Sequence, residues 1–365
     1  MGMEFGRGRR IRVLIIDDSA LVRALLTRIL DADPQLQVVG AAADAFVARD
    51  KIKALRPDVL TLDVQMPRMD GLQFLRNLMR LRPMPVVMCS SLTDRGADVT
   101  LAALELGAVD FIAKPRVDVA HQLEQYAAEL IEKIKTAAGA RVRPLAAARA
   151  AAVDAPLPAL PLPAGGAHDR VVAIGASTGG TEAIRQVLGR LPADSPALLI
   201  AQHIPRAFSA QFAARMDACS AMSVREAEDG ARICAGCAYV APGDRHLQIE
   251  RDGAHYRCRL HDGPPVNRHR PSVDLLFGSM AEQLGPAGIG VILTGMGADG
   301  ARGLQQLHSR GGHTIAQDET SSVVWGMPGA AVALGAVDRV LPIEEVATAL
   351  LAECDAPARR RASGG

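Results

Sequence analysis

Ser177 stands in the run Gly175-Ala176-Ser177-Thr178-Gly179-Gly180, directly after the apolar Val171-Val172-Ala173-Ile174. That order predicts a strand, a tight turn and a helix start, with the hydroxyl presented on the turn. A serine hydroxyl is a weak nucleophile and needs a base within hydrogen-bond reach and a third group to orient that base. His203 follows Ala197-Leu198-Leu199-Ile200-Ala201-Gln202, and Asp299 lies in Gly295-Met296-Gly297-Ala298-Asp299-Gly300 after Gly290-Val291-Ile292-Leu293-Thr294. If the three apolar runs are strands of one parallel sheet, all three residues gather at its carboxyl edge. His203 is then the base, and Asp299 fixes its tautomer and stabilises the imidazolium. An oxyanion on the attacked carbon needs preorganised donors, which the glycine-flanked amide of Met296 can supply, and the helix start after Ser177 adds a favourable field.

A second constellation lies upstream. Asp17 and Asp18 follow the run Val13 to Ile16, Asp63 follows Val59 to Leu62, Ser90 ends Val86 to Cys89, and Lys114 comes just after Asp110 to Ile112. In a parallel sheet these strand ends share one edge, where ligand sites form. Three carboxylates together suit a hard divalent ion such as Mg²⁺, and Lys114 supplies a further positive charge for a transferring phosphoryl group.

The elements that must position these residues repeat regularly. From Arg12 to about Thr136, short β-branched runs, with Gln37 to Val39 as the second, alternate with helix-period segments. Five βα units and a parallel sheet with helices on both faces follow, closed by a last helix bearing Leu123, Ala127, Leu130 and Ile134. Residues 137–168 are rich in Ala, Pro and Arg and read as a semi-rigid linker. A second α/β domain is expected over 169–354, with strand runs at 171–174, 197–201, 238–240, 247–249, 290–293 and 313–316. Shorter strands are expected between Ser223 and Leu260, with turns at Pro242-Gly243-Asp244 and Asp262-Gly263-Pro264-Pro265. Residues 355–365 read as a disordered tail.

Composition narrows the function. Aromatics are only 3% of the chain, so the cores are built from aliphatic residues in the manner of α/β layers, and a net charge of +1 gives no pull toward nucleic acid or membrane surfaces. Met1 to Arg10 lacks a signal-peptide apolar stretch and no run approaches a membrane span, so a cytoplasmic location without direct membrane insertion is expected. Six scattered cysteines fit a reducing compartment, and Cys234-x-x-Cys237 lacks the second pair that a zinc site needs.

Gly175-x-Ser177-x-Gly179 also matches the α/β-hydrolase elbow, but that fold orders its triad Ser, acid, His, whereas here the order is Ser177, His203, Asp299. Gly295-x-Gly297-x-x-Gly300 matches a dinucleotide fingerprint, with Asp318 after the next strand as a candidate ribose acid. The first α/β domain fused to a nucleotide-binding module, or to a purely protein-binding output, therefore stands beside the hydrolase reading. Asn267-Arg268-His269-Arg270 reads equally as a contact for an acidic partner helix or as a solvated loop with Arg270 paired to Asp274. His246, His255, His261 and His313 read as surface or packing residues, and Thr178 as a site-ordering or helix-capping hydroxyl.

The first constellation, with Leu62-Asp63-Val64-Gln65-Met66-Pro67-Arg68-Met69-Asp70-Gly71, Phe111 and Lys114-Pro115, resembles two-component receiver domains. The resemblance implies a flavodoxin-like five-stranded domain over residues 11–136, with Asp63 as phosphate acceptor. It makes Asp17, Asp18 and Asp63 the Mg²⁺ site, and Ser90, Phe111 and Lys114 the switch residues. Gln65 departs from the acidic residue often found there. The second set resembles the catalytic domain of the protein-glutamate methylesterases of bacterial chemotaxis. The matching segments are 174–180, Gln202-His203-Ile204-Pro205, Tyr239-Val240-Ala241-Pro242-Gly243, Arg270-Pro271-Ser272-Val273-Asp274, 294–300 and 316–319 with Gly326-Met327-Pro328. That resemblance implies a mostly parallel, doubly wound domain with Ser177, His203 and Asp299 as triad and the Met296 amide as oxyanion donor. It implies demethylation of chemoreceptor glutamates, deamidation of receptor glutamines, no cofactor at the esterase site, a histidine kinase as phosphodonor and a monomer. A resting receiver over the Ser177 cleft, loosened by phosphorylation at Asp63, completes the expectation.

Overall fold

The computed structural model describes residues 9–90, 94–114, 120–142 and 170–355. Pro115, most of the expected linker and the tail from residue 356 lie outside the described residues. The chain divides into two compact units, split between Asp154 and Ala155.

In the first unit β1 (Ile11–Ile16), β2 (Leu36–Ala42), β3 (Val59–Asp63), β4 (Val86–Ser90) and β5 (Asp110–Ala113) form one parallel sheet in the order β2-β1-β3-β4-β5. This is the flavodoxin-like winding. β1, β3 and β4 are buried almost throughout because helices cover both faces, which is why they read as unbroken aliphatic runs. The helices are α1 (Ala20–Asp31), α2 (Ala45–Leu55), α3 (Gly71–Leu81), α4 (Asp94–Glu105) and α5 (Ala120–Ala138). The first three start where a side chain satisfies an orphan amide: Ser19 accepts from Val22, Asp44 from Phe46 and Val47, and Asp70 from Gln73.

The second unit holds a seven-stranded parallel sheet in the order β14-β13-β12-β6-β7-β9-β8. Its strands are β6 (Val171–Ala176), β7 (Ala197–Gln202), β8 (Ser223–Glu226), β9 (Cys237–Val240), β12 (Gly288–Ile292), β13 (His313–Gln317) and β14 (Arg339–Leu341). An antiparallel hairpin, β10 (His246–Asp252) with β11 (His255–His261), stands apart from that sheet. From β6 the chain winds outward through β7 to β8 and β9, then returns to the other side of β6 as β12 and winds outward again. The helices α6 (Gly180–Leu188), α7 (Arg206–Cys219) and α11 (Ile343–Asp355) pack together, as do α8 (Val273–Gln283), α9 (Ala301–Ser309) and α10 (Met327–Ala333). The reversal between β6 and β12 is a topological switch point, the place where an open α/β sheet leaves a crevice at its carboxyl edge. The short edge strand β14, half-exposed around Val340, has too little apolar pattern to be read from the sequence.

Candidate functional sites

Register brings the residues singled out above to that crevice. Ala176 and Gln202 are the last partners of β6 and β7, so Ser177 and His203 leave adjacent strands side by side, and the His203 amide donates to Ala176 O at 3.1 Å. β12 pairs with β6 up to Ile292 and Gly175, and the Ser177 amide donates to Thr294 O at 3.1 Å. The Gln202 side-chain amide donates to Ser177 O at 2.9 Å and His203 O at 3.2 Å, tying the two strand ends together. Ser177 is half-buried, and no hydrogen bond of its hydroxyl is seen among the described residues.

Asp299 is 1% exposed yet accepts five hydrogen bonds. His203 Nε2 (2.8 Å) and the Val273 amide (2.7 Å) reach Oδ2, while Asn267 Nδ2 (2.8 Å), Ser272 Oγ (2.9 Å) and the Asp274 amide (3.3 Å) reach Oδ1. Two of these donors are the first amides of α8, whose N-cap residue Ser272 makes no capping bond of its own. Asp299 therefore caps α8 from a distant loop and gains the field of that helix end. Burial by itself would push this carboxyl up; the donors, His203 foremost, outweigh it and bring the pKa down to about 2. The carboxylate is thus charged at neutral pH and holds His203 through Nε2, leaving Nδ1 buried with no hydrogen-bond partner among the described residues.

Glycines permit this closeness. A Cβ on Gly175 would lie 2.1 Å from Val273 Cγ1, and one on Gly300 would lie 2.5 Å from the same methyl, so the start of α8 wedges Val273 between β6 and the Asp299 loop. A Cβ on Gly295 would meet Met327 Sδ at 2.3 Å and Ser177 Cβ at 2.8 Å, which is why the loop carrying Met296 can lie against the serine. Gly175→Ala should cost about 1–3 kcal/mol through overpacking of a rigid β-branched neighbour. Thermal unfolding checks this, and an unchanged midpoint would contradict the wedge.

Several site residues escaped the sequence reading. Asn267 and Arg268 form a two-residue hairpin turn, both with positive φ (51° and 67°), closed by paired hydrogen bonds between Val266 and His269. This is the mirror-type turn normally marked by Asn-Gly; here Arg fills the glycine position, so the usual signal is missing. The turn lies just beyond the expected Asp262-Gly263-Pro264-Pro265 turn. It places Asn267 on Asp299 and Asp274, and stacks His269 on His203 with ring centroids 3.7 Å apart. Arg270 is not paired to Asp274; its guanidinium donates to the carbonyls of Asp262 and Gly263. The N-cap position of α6 is Gly179, and the Thr178 carbonyl accepts the Thr294 hydroxyl at 3.0 Å. The glycine-rich Gly295–Gly300 loop aims a buried carboxylate into the crevice, which opposes a phosphate, and Asp318 is engaged by Ser321. Both observations count against the dinucleotide reading. All six cysteines are free thiols, and Cys234 donates to Arg232 O.

In the first unit Asp17, Asp18 and Asp63 bring ligand oxygens within 4.8 Å of one another. Lys114 Nζ lies 3.0 Å from Asp17 Oδ2 and 2.8 Å from Asp63 Oδ2, at ion-pair distance. An all-oxygen set with more negative than positive charge fits a hard divalent cation. The Ser90 hydroxyl donates to Gly96 O in α4, and Phe111 is buried beneath Lys133, which donates to its carbonyl. Gln65 is exposed, with its amide on Asp63 Oδ1. Burial raises the Asp63 pKa, Lys114 opposes this and Asp17 adds to it, leaving it at about 6. A raised carboxyl pKa gives stability that is complete below 3.8 and lost as pH rises through about 6. Ionising Asp63 therefore costs on the order of 2–3 kcal/mol near neutrality. Mg²⁺ should relieve that cost, raising the unit's melting temperature clearly at pH 7.5 and little at pH 5. An equal shift at both values would contradict the assignment.

The two units thus define a class: a receiver domain joined to an α/β output domain that gathers Ser177, His203 and Asp299 at its switch point. Comparison with known proteins gives the family. Residues 13–125 match the response regulator receiver domain and residues 172–350 the CheB methylesterase. The chain is 59% identical over 346 residues to protein-glutamate methylesterase/protein-glutamine glutaminase 1 of Xanthomonas campestris pv. campestris, covering 94% of this chain and 97% of that protein. It is 50% identical over 370 residues to the corresponding protein of Hydrogenovibrio crunogenus, covering 94% and 98%. The Thermotoga maritima CheB methylesterase catalytic domain superposes with a TM-score of 0.49 at 36% identity, covering 50% of this chain and 97% of that one. The chain belongs to the family of protein-glutamate methylesterases/protein-glutamine glutaminases with an N-terminal receiver.

Proposed function

We propose that this chain hydrolyses glutamyl γ-methyl esters on methyl-accepting chemoreceptors, releasing methanol, deamidates receptor glutamines, and is switched on by phosphorylation at Asp63. The observation that carries the proposal is the buried His203–Asp299 hydrogen bond at 2.8 Å, with His203 Nδ1 free of hydrogen bonds among the described residues and His203 at the strand end beside that of Ser177. In this reading Ser177 Oγ attacks the ester carbonyl carbon as its proton passes to Nδ1 of His203. The oxyanion is met by the Met296 amide on the loop packed against Ser177. Nδ1 then returns the proton to the departing methoxide, giving methanol and an acyl-serine. Water, deprotonated at the same nitrogen, attacks the acyl carbon, frees glutamate and restores Ser177. A glutamine amide follows the same path and expels ammonia. Asp299 stays ionised throughout and stabilises the imidazolium.

In the receiver, Asp17, Asp18 and Asp63 would hold Mg²⁺, which offsets charge as the phosphoryl group passes from a kinase histidine to Asp63. Ser90, Phe111 and Lys114 report the change. Receiver at 11–136, linker at 137–168 and catalytic domain at 169–354 are the working boundaries, in a cytoplasmic monomer. No helix among the described residues is long and apolar enough to cross a membrane. The test is methanol release from methylated receptor, with and without a small phosphodonor and Mg²⁺, for wild type and Asp63→Asn. Stimulation should vanish in the variant while basal release persists. Stimulation that survives would remove the switch, and an absence of methanol from the stimulated wild type would remove the esterase reading.

A further inference from the structure

His246, at the start of β10, is fully buried and takes no part in the chemistry described above. Both ring nitrogens are nevertheless engaged. Nε2 lies 3.1 Å from Pro264 O, and Nδ1 lies 3.2 Å from the Ser272 amide nitrogen. A carbonyl can only accept and an amide can only donate, so the ring carries its proton on Nε2 and keeps Nδ1 as acceptor. The two contacts bracket residues 264–272. Within that span lie Asn267, which holds Asp299 Oδ1, His269, which stacks on His203, and Ser272, whose hydroxyl also holds Asp299 Oδ1.

We propose that His246 is a positioning residue for the esterase site: its imidazole staples both ends of the 264–272 loop and so fixes the groups that aim Asp299 and His203. The proposal rests on the triad reading above. The backbone of this loop carries few bonds that would hold it otherwise. Val266 and His269 bond each other, and Asp244 N donates to Arg270 O, while among the described residues the Ser272 amide is satisfied only by the ring. A buried amide left without an acceptor costs about 1–3 kcal/mol, enough to let Ser272 turn away from Asp299. The groups facing His246 agree with an uncharged ring. Burial lowers its pKa, the Pro264 carbonyl opposes that, His261 tilted at 5.0 Å and Arg270 lower it further, and Asp299 raises it.

Two variants separate the staple from mere packing in the full-length chain. His246→Phe keeps a planar ring of similar size without polar atoms, and His246→Gln keeps one donor and one acceptor. Methanol release by the folded Phe variant should fall about 10²-fold in kcat with little change in KM, as expected when catalytic groups drift by roughly 1 Å. The Gln variant should recover most of that loss. A Phe variant with wild-type kcat, or equal loss in both variants, would overturn the proposal. If the Phe variant fails to fold, imidazole nitrogen NMR of the wild type decides: a neutral ring protonated at Nε2 through pH 7 is expected, and the other tautomer or a charged ring would overturn it. Ser177→Ala run beside these keeps the two readings apart, because activity surviving there defeats the triad and leaves the NMR result for His246 standing.

Discussion

Asp299→Asn should lower kcat for methanol release about 10⁴-fold while leaving KM nearly unchanged. The reason is the direction of the five bonds around this carboxylate, every one of which is donated to it. An amide converts one of the two oxygens into a donor. If the new NH₂ faces His203, Nε2 must become the acceptor and the proton moves to Nδ1, the nitrogen proposed above as base. The Val273 amide would then face a donor as well. If the NH₂ faces the other way, Ser272 and Asn267 can turn, but the Asp274 amide cannot. The first orientation leaves the buried Val273 amide unpaired and the second the part-buried Asp274 amide, so the variant should also lose about 1–3 kcal/mol of stability.

The pH dependence gives an independent reading of the same site. Because the folded pKa is depressed, the carboxylate adds stability that is complete above 3.8 and lost as pH falls through about 2. That contribution is on the order of 2 kcal/mol, and the variant should lack it. Melting curves from pH 7 down to pH 3 would show a flatter acid limb in the variant. A kcat within tenfold of wild type would mean that Asp299 serves the fold and not the reaction.

Much of this site is written in strand ends. Ser177, His203 and Asp299 could be placed together from sequence because each follows an aliphatic run, and parallel strands bring their carboxyl ends to one edge. The same logic located Asp17, Asp63 and Lys114. What strand ends do not encode is the traffic of loops across that edge. Asn267 and His269 arrive through a tight turn whose second residue, Arg268, hides the usual glycine signal. Ser272 stands at the N-cap of α8, yet its hydroxyl is spent on Asp299, which does the capping through backbone amides. Arg270 and Asp274 look paired at i, i+4 spacing, but they stand on either side of Pro271 and the helix begins only at Val273. The edge strands β8 and β14 are half-exposed and short, so burial never wrote a clear pattern into them.

Ser177→Ala should abolish stimulated and basal methanol release together, with a loss of roughly 10³-fold or more in kcat, while the fold remains as stable as wild type to within about 0.5 kcal/mol. The stability half follows from the surroundings of the hydroxyl. The serine is held through its backbone, by its amide to Thr294 O and by its carbonyl from Gln202 and Gly180, and those bonds survive truncation. The activity half follows from His203. A buried ring nitrogen without a partner is uncommon, and here it is Nδ1, opposite the nitrogen anchored to Asp299. In the proposed mechanism this atom is the base, and the Ser177 hydroxyl on the adjacent strand end supplies its proton. Loss of both stability and activity would instead place Ser177 among the structural turn formers. Methanol release above about one-hundredth of wild type would assign the attack to a water activated directly by His203, which in single-turnover experiments would leave no acyl-enzyme to trap.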